Sequence, residues 1–430
     1  MSLNRLCVLG MGYIGLPTAS SFATRGLKVV GVDVNERIVE TLRMGHIHIQ
    51  EPGLEALVQA AFHSGNLQVK AQPETADAFI ICVPTPVRPD KSADLSYVVS
   101  AAASIVPHLR LGNLVVLEST SPPGTTAEVV RPILERSGLH AGPDFHLAYS
   151  PERVLPGQIL KEIVENARVI GGIDAVSAQA GRDLYGTFVQ GEIALTDATT
   201  AEMVKLMENT FRDVNIALAN EFLRLGDRFG VDIWEAIRLA NRHPRVRILQ
   251  PGPGVGGHCV SVDPWFLVEA APDISSLIRQ ARMVNDNQPA YVLELLRAEL
   301  GDLTGATIGA LGLTYKADID DVRESPALRV VDLLGKAGAR VRTYDPWAPA
   351  DVLAAVRTRD VETCVQGADC VLLLVAHETL KRLDPGLVRP LVSQPLAIDC
   401  QHVWDRARWE AAGFSLRSLG VPKSQEANVR

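Results

Sequence analysis

Short apolar runs bounded by glycine alternate with stretches of helical periodicity near both ends of the chain. Residues 5–9 read as a strand, 10–15 as a glycine turn, 17–25 as a helix and 28–33 as a second strand. That order is a βαβ unit. Two continuous apolar runs, 78–83 and 114–118, extend it, because strands covered on both faces of a parallel sheet lose their polar alternation. From Thr199 the pattern becomes a long helix, opened by Thr199 and Glu202 as a capping box and closed near Gly230. Met203, Val204, Leu206 and Met207 surround Lys205 there, so the helix is expected to be largely buried. Asp232 and Glu235 open a second helix that runs to about residue 241. In the next segment, 250–257, seven of eight positions are Gly, Pro or Gln, which predicts a loop dominated by backbone. Alternation resumes with a strand over 307–313, a helix over 326–336 ended by Gly338, and a strand over 340–344. The run 368–375 then echoes 76–83.

The predicted fold class is therefore α/β, with two Rossmann-like doubly wound parallel-sheet domains joined by a long central helix. The corresponding division is an N-terminal dinucleotide-binding domain over 1–195, a central helical segment over 196–300, a C-terminal Rossmann-like domain over 301–420, and a polar tail over 421–430. A chain of 430 residues is long enough to require more than one core. The net charge of -8 argues against a general nucleic-acid binder, so a basic site for phosphate must be local. Six cysteines, Cys7, Cys82, Cys259, Cys364, Cys370 and Cys400, are scattered without CxxC spacing, which argues against a disulfide framework or zinc knuckle. No basic leader with an apolar core and no apolar stretch of about 20 residues is present, so no membrane association and a cytoplasmic location are expected.

Candidate chemistry sits at three places. Gly10, Gly12 and Gly15 follow a strand and open a helix, the spacing that brings backbone and a helix N-terminus against a pyrophosphate. Asp33, at the end of the next strand, would accept from a ribose 2′-hydroxyl and repel a 2′-phosphate, which points to NAD. Lys205, Asn209 and Arg212 fall at i, i+4 and i+7 on the long helix, either a solvated polar face or a functional stripe in a buried helix. Cys259 closes the glycine-rich loop, beside His258 and before a strand-like step from Ser261 to Asp263. A nucleophilic thiol, a buried structural cysteine and a metal site of His258, Cys259 and Asp263 are its three readings, with no further ligand cluster to support a metal.

Taken in order along the chain, the glycine trio, Glu118 to Gly124, Tyr149 to Gly157, Lys205 with Asn209, Gly256 to Cys259 with Asp263, and Gly312 to Lys316 through Arg323 resemble the UDP-glucose/GDP-mannose dehydrogenase family. The resemblance implies NAD contacts from Tyr13, Ile14, Asp33, Arg37, Thr85, Thr120 and Arg323. It implies that Arg153, Val154, Lys205, Asn209, Arg212, His243, Arg245, Gly256, Tyr315 and Lys316 hold a UDP-sugar. It further implies two hydride transfers to NAD, with Cys259 as covalent nucleophile, Lys205 and Asn209 stabilising an oxyanion, and Asp263 or Glu152 activating water. A homodimer through the long helix is also expected. Residues 241–245 and 251–266 are most like members acting on UDP-N-acetyl-D-mannosamine, which makes that sugar the expected substrate ahead of UDP-N-acetylglucosamine or UDP-glucose. Two other classes compete: a two-electron hydroxyacid dehydrogenase, which needs neither Cys259 nor the C-terminal domain, and a non-catalytic nucleotide-sugar sensor, against which the intact Lys205, Cys259 and Asp263 weigh.

Overall fold

A computed structural model describes residues 3–49, 51–155 and 157–422. Most of the polar tail, residues 423–430, lies outside the described residues. By packing, the chain divides into two compact units. One comprises the chain up to Glu208 together with Trp265–Ile274, and the other Asn209–Pro264 with Ser275 onward. The central segment 196–300 is thus shared between the two units.

The first unit is built on eight strands: β1 (Arg5–Leu9), β2 (Lys28–Val32), β3 (Leu67–Lys70), β4 (Ala78–Ile81), β5 (Leu114–Leu117), β6 (His146–Tyr149), β7 (Arg168–Gly172) and β8 (Ile193–Asp197). They line up as β3-β2-β1-β4-β5-β6-β7-β8, all parallel except at the β6 and β7 junction. Alternate residues of each strand feed opposite faces. Leu6, Val8, Ile80 and Val116 enter one apolar layer, and Cys7, Leu9, Ile81 and Leu117 the other. Each fully buried aliphatic side chain contributes about 1.5–3 kcal/mol over an exposed one, and the two-sided burial explains why these strands read as unbroken apolar runs.

The second unit has strands β9 (Thr307–Leu311), β10 (Arg340–Tyr344), β11 (Cys370–Leu373), β12 (Leu396–Asp399) and β13 (Ser415–Ser418), all parallel, in the order β10-β9-β11-β12-β13. This is the shorter doubly wound order, whose switch point lies between β9 and β11. The sequence echo has a structural counterpart. Asp77 accepts the Arg5 N–H at the start of β1, and Asp369 accepts the Thr307 N–H at the start of β9, each at 2.8 Å. Strand 307–313 is shorter than expected, ending at Leu311, because Gly312 turns the backbone with φ +91°.

The long helix spans Ala198–Phe229, and Gly230 with φ +70° follows it. Its N-terminus differs from the expected capping box. Asp197 accepts the Thr200 N–H at 2.9 Å and caps the helix. Glu202 instead turns to the loop after β5, where it accepts the N–H groups of Gly124 and Thr126 and the Thr126 hydroxyl. The expected all-round burial also fails. Met203, Met207, Phe211, Leu218, Leu225 and Phe229 are exposed, while Leu206, Ala219 and Leu223 pack inward.

Candidate active site

In the first unit the three glycines have three different reasons. Gly10 needs its φ of +93°, and a Cβ there would meet the Cys82 carbonyl oxygen at 2.5 Å. A Cβ on Gly15 would lie 1.8 Å from the Gly10 oxygen, so this residue lets the helix Gly15–Thr24 pack against the turn. At Gly12 a Cβ would meet nothing within 4 Å. That open space leaves room for a pyrophosphate to approach the backbone. Asp33 spans the same turn, accepting from Met11 N–H and Asn35 N–H at 2.9 Å each. Each carboxylate oxygen keeps acceptor capacity for a ribose hydroxyl. Thr85 donates its hydroxyl to the Thr120 carbonyl at 2.6 Å, joining the loops after β4 and β5. Tyr13 and Ile14 are half-buried at the turn, and Arg37 is exposed on the helix capped by Asn35. These residues fit NAD.

Farther along the sheet, the loop after β6 is tied to the long helix. Lys205, 5% exposed, donates to the Glu152 carboxylate at 2.9 Å and to its carbonyl at 2.8 Å. Glu152 also accepts the Val154 N–H at 3.0 Å. Arg153 forks onto Glu208 and donates to the Ala167 carbonyl at 2.7 Å. Glu51 receives the N–H groups of Gly157 and Ile159. Removing either partner of this buried pair would leave the other charge stranded. Sequence reading had assigned no role to Glu51 or Glu208. For Glu208 a signal existed, an acidic residue three positions after Lys205 on one helix.

In the second unit, Asn209 donates to the Asp263 carboxylate at 2.5 Å, and Asp263 is 2% exposed. Asp263 opens the helix Asp263–Ala270, so the strand-like step expected before it is a turn in which the Cys259 carbonyl accepts from Val262 and Asp263. Cys259 is partly exposed in that turn. The glycines before it are packed against the turn after β9. A Cβ on Gly256 would collide with the Glu324 oxygen at 2.6 Å and with Tyr315 at 2.8 Å, and one on Gly257 with the Tyr315 ring at 2.8 Å. The Gly257 N–H donates to the Arg323 carbonyl at 3.0 Å. Arg323 forks onto Asp321, whose second neighbour is His258 at 3.6 Å. Burial opposes ionisation of Asp321, yet the neighbouring His258 ring and the hydrogen bonds and charge of Arg323 outweigh it and hold the carboxyl well below its ordinary range. Gly256, Tyr315, Lys316 and Arg323 are therefore brought to one loop cluster with Cys259. Arg212, His243 and Arg245 are all exposed, and the segment 241–245 is a surface turn.

The other thiols differ from Cys259. Cys7 and Cys364 are sealed in the core, where burial pushes each thiol up to about 12. Burial likewise raises Cys370 and Cys400, and Cys82 is raised by burial and by the Glu118 carboxylate it touches. None of these five can supply thiolate at neutral pH. Among the described residues no group of three His, Cys, Asp or Glu side chains is placed to hold a metal ion, and no helix is long and apolar enough to cross a membrane.

A dinucleotide cradle and, in the same unit, a buried lysine and carboxylate pair fit an NAD-dependent dehydrogenase. The chain belongs to the UDP-glucose/GDP-mannose dehydrogenase family: the family's NAD binding domain matches residues 4–189, its central domain 199–287 and its UDP binding domain 309–406. It is 47% identical over 427 residues to the UDP-N-acetyl-D-mannosamine dehydrogenase of Methanococcus maripaludis, covering 97% of each chain. It is also 47% identical over 421 residues to the NDP-N-acetyl-D-galactosaminuronic acid dehydrogenase of Ralstonia nicotianae, covering 95% of this chain and 98% of that one. The solved UDP-D-ManNAc dehydrogenase of Pyrococcus horikoshii superposes with a TM-score of 0.90 at 42% identity, over 97% of this chain and 99% of that one.

Proposed function

We propose that the protein oxidises the C6 alcohol of UDP-N-acetyl-D-mannosamine to the carboxylate, as a cytoplasmic homodimer, with Cys259 as the covalent nucleophile. The single observation that carries the covalent step is the setting of Cys259, partly exposed on a loop built of glycine, whereas burial raises the other five thiols, the partly exposed Cys82 included. NAD, when bound, accepts one hydride in each of the two oxidation steps. Gly10, Gly12, Gly15 and Asp33 would hold it, with Tyr13, Ile14, Arg37, Thr85, Thr120 and Arg323 as further contacts.

The remaining work falls to side chains of this chain. Lys205, its charge balanced by Glu152, steadies the oxygen that loses its proton, or takes that proton after passing one of its own to the Glu152 carboxylate. The Cys259 sulfur adds to the resulting aldehyde carbon, and the amide of Asn209 donates toward the developing oxyanion. Loss of hydride from that adduct leaves a thioester. Water then adds to the carbonyl while Asp263 or Glu152 takes its proton, and the C–S bond breaks to return the thiol. Arg153, Val154, Arg212, His243, Arg245, Gly256, Tyr315 and Lys316 are assigned to the nucleotide sugar. Arg212, His243 and Arg245 are the exposed hydrogen-bond donors of this set, and a diphosphate or acetamido group gives them acceptors.

Two further features support the assembly and the compartment. At 3.6 residues per turn, the exposed Met203, Met207, Phe211, Leu218, Leu225 and Phe229 fall within about 80° on the long helix, roughly opposite the Lys205, Asn209 and Arg212 stripe. A stripe of that length fits a copy of itself across a two-fold axis. Among the described residues no cysteine is paired in a disulfide, which suits a reducing compartment.

Relatives with two different names share the same identity to this chain, so the sugar is decided by assay. Purified protein is tested on UDP-N-acetyl-D-mannosamine, UDP-N-acetylgalactosamine, UDP-N-acetylglucosamine, UDP-glucose and GDP-mannose. The highest kcat/KM is expected on the first. A higher value on any other refutes the substrate assignment and leaves the family membership standing.

A further inference from the structure

The loop that carries Cys259 is fastened at both ends to one face of the long helix. Downstream, Asp263 takes the Asn209 amide. Upstream, both polar groups of the Gly252 residue are held by buried side chains. Its N–H donates to Asn220 Oδ1 at 2.9 Å, and its carbonyl accepts from Gln288 Nε2 at 2.9 Å. Asn209 and Asn220 are eleven residues apart, so they lie about 20° from one another around the helix and about 16 Å apart along it. The thiol sits on the chain strung between them.

The upstream clamp is itself braced. Asn220 Nδ2 donates to Asn285 Oδ1 at 2.9 Å, and Asn285 Nδ2 donates to the carboxylate and carbonyl of Asp213 at 2.8 and 3.0 Å. Arg282 closes this branch on Asp213 at 2.5 Å. On the other branch, Gln288 Oε1 accepts from Arg224 at 2.9 and 2.7 Å. Asn220, Asp213 and Gln288 are 0% exposed, and Asn285 and Arg282 1%. The direction of every amide follows from its neighbours. A backbone N–H can only donate and a carboxylate can only accept, so Asn220 must offer its oxygen to Gly252 and its nitrogen to Asn285. Asp213 Oδ2 and Arg282 Nε find no partner, but both polar ends of the Asn220, Asn285 and Gln288 amides are hydrogen-bonded, and amides directed in this way hold the Gly252 backbone in one place.

Packing alone does not explain the clamp. A Cβ at Gly252 would meet nothing within 4 Å, so this part of the loop is not wedged by neighbours as Gly256 and Gly257 are. The fixed point is supplied by Asn220 and Gln288.

We propose that Asn220 and Gln288 are positioning residues for Cys259, acting through Gly252 to set where the thiol stands for addition to the substrate carbonyl. This rests on the reading of Cys259 as nucleophile. Displacement of a reacting atom by about 1 Å lowers a rate on the order of a hundredfold. Asn220→Leu and Gln288→Met keep side-chain volume and delete the clamp, and Asn220→Asp keeps an acceptor for the Gly252 N–H. Each is compared with the parent in three readouts: kcat for acid formation, KM for NAD, and the rate of iodoacetamide alkylation at Cys259 mapped by peptide mass spectrometry. Val292→Ala, a core substitution in the same unit with no polar link to the loop, controls for general destabilisation.

The two clamp deletions are expected to lower kcat on the order of ten- to a hundredfold, with the KM for NAD within about twofold and the alkylation rate altered in step. Asn220→Asp is expected to fall between them and the parent, and serves as the working variant if the deletions do not fold. Val292→Ala is expected to lower the melting temperature with kcat unchanged. The proposal is overturned if kcat stays within about twofold of the parent in the folded clamp variants, or if Val292→Ala loses as much kcat for the same loss of melting temperature. Failure of the underlying reading shows separately: Cys259→Ala would then still form acid.

Discussion

Asp33 and Asp345 occupy matching positions at the ends of the second strands of the two sheets, and their surroundings give them different consequences. Asp33 receives two backbone N–H groups beside the glycine turn and is half-exposed, free to read a ribose. The expected result is a kcat/KM with NAD about tenfold or more above that with NADP, about 1.4 kcal/mol of discrimination. Equal efficiency with the two cofactors, measured side by side, would remove the role given to Asp33. Asp345 is buried and receives the N–H groups of Leu313, Trp347 and Ala348 together with the His377 ring. Burial works to raise its carboxyl, but the His377 hydrogen bond and charge and the backbone donors prevail and hold it near about 2. A carboxyl depressed in the folded state contributes stability that is present above its unfolded value and lost as pH falls through the folded one. Denaturant unfolding followed from pH 7 downward should therefore lose stability between about 4 and about 2, and Asp345→Asn should flatten that window. An unchanged acid limb in the variant would contradict the assignment. The glycine trio and Asp33 were legible in the sequence because backbone geometry admits few residues at those positions. The partners of Arg153, Lys205 and Asp345 were not, since each is supplied by a segment distant in the chain.

The elements separate what local pattern can reveal from what it cannot. Strands 78–81 and 370–373 were plain because two-sided burial leaves only apolar residues, and Gly230 and Gly338 marked helix ends where a positive φ follows the last turn. The long helix was found, but two of its features were misread. Thr199 and Glu202 have capping-box spacing, yet Glu202 serves the loop at Gly124 and Thr126. The apolar residues around Lys205 suggested burial, and two of them, Met203 and Met207, lie on the outward face instead. Apolar periodicity reports that a face is covered, not that the same chain covers it. The three N-terminal glycines yield a test at this scale. Gly12→Ala should fold with a melting temperature within about 2 °C of the parent and bind NAD on the order of tenfold more weakly, since its Cβ meets only ligand space. Gly15→Ala should lower the melting temperature by several times more, because its Cβ falls on the Gly10 oxygen. Calorimetry with NAD titration measures both, and a Gly12→Ala protein that binds NAD as well as the parent would count against a pyrophosphate at that turn.

For the whole molecule, the two sheets and their order along the chain were readable because each β-α alternation is local, whereas the grouping of the central segment with its neighbours depends on packing. The exposed stripe of the long helix belongs to this scale as well. Phe211→Glu places a charge at its centre and should shift sedimentation from dimer to monomer at micromolar concentration. A parent protein that sediments as a monomer, or a variant that stays dimeric, would remove the helix from the interface. The central claim is a four-electron oxidation routed through one thiol, and the count of reduced cofactor tests it most directly. With limiting UDP-N-acetyl-D-mannosamine and excess NAD, the parent should form two NADH per sugar consumed, with the uronate as product, and Cys259→Ala should form no uronate. One NADH per sugar with the aldehyde accumulating in the parent, or two per sugar in Cys259→Ala, would contradict it.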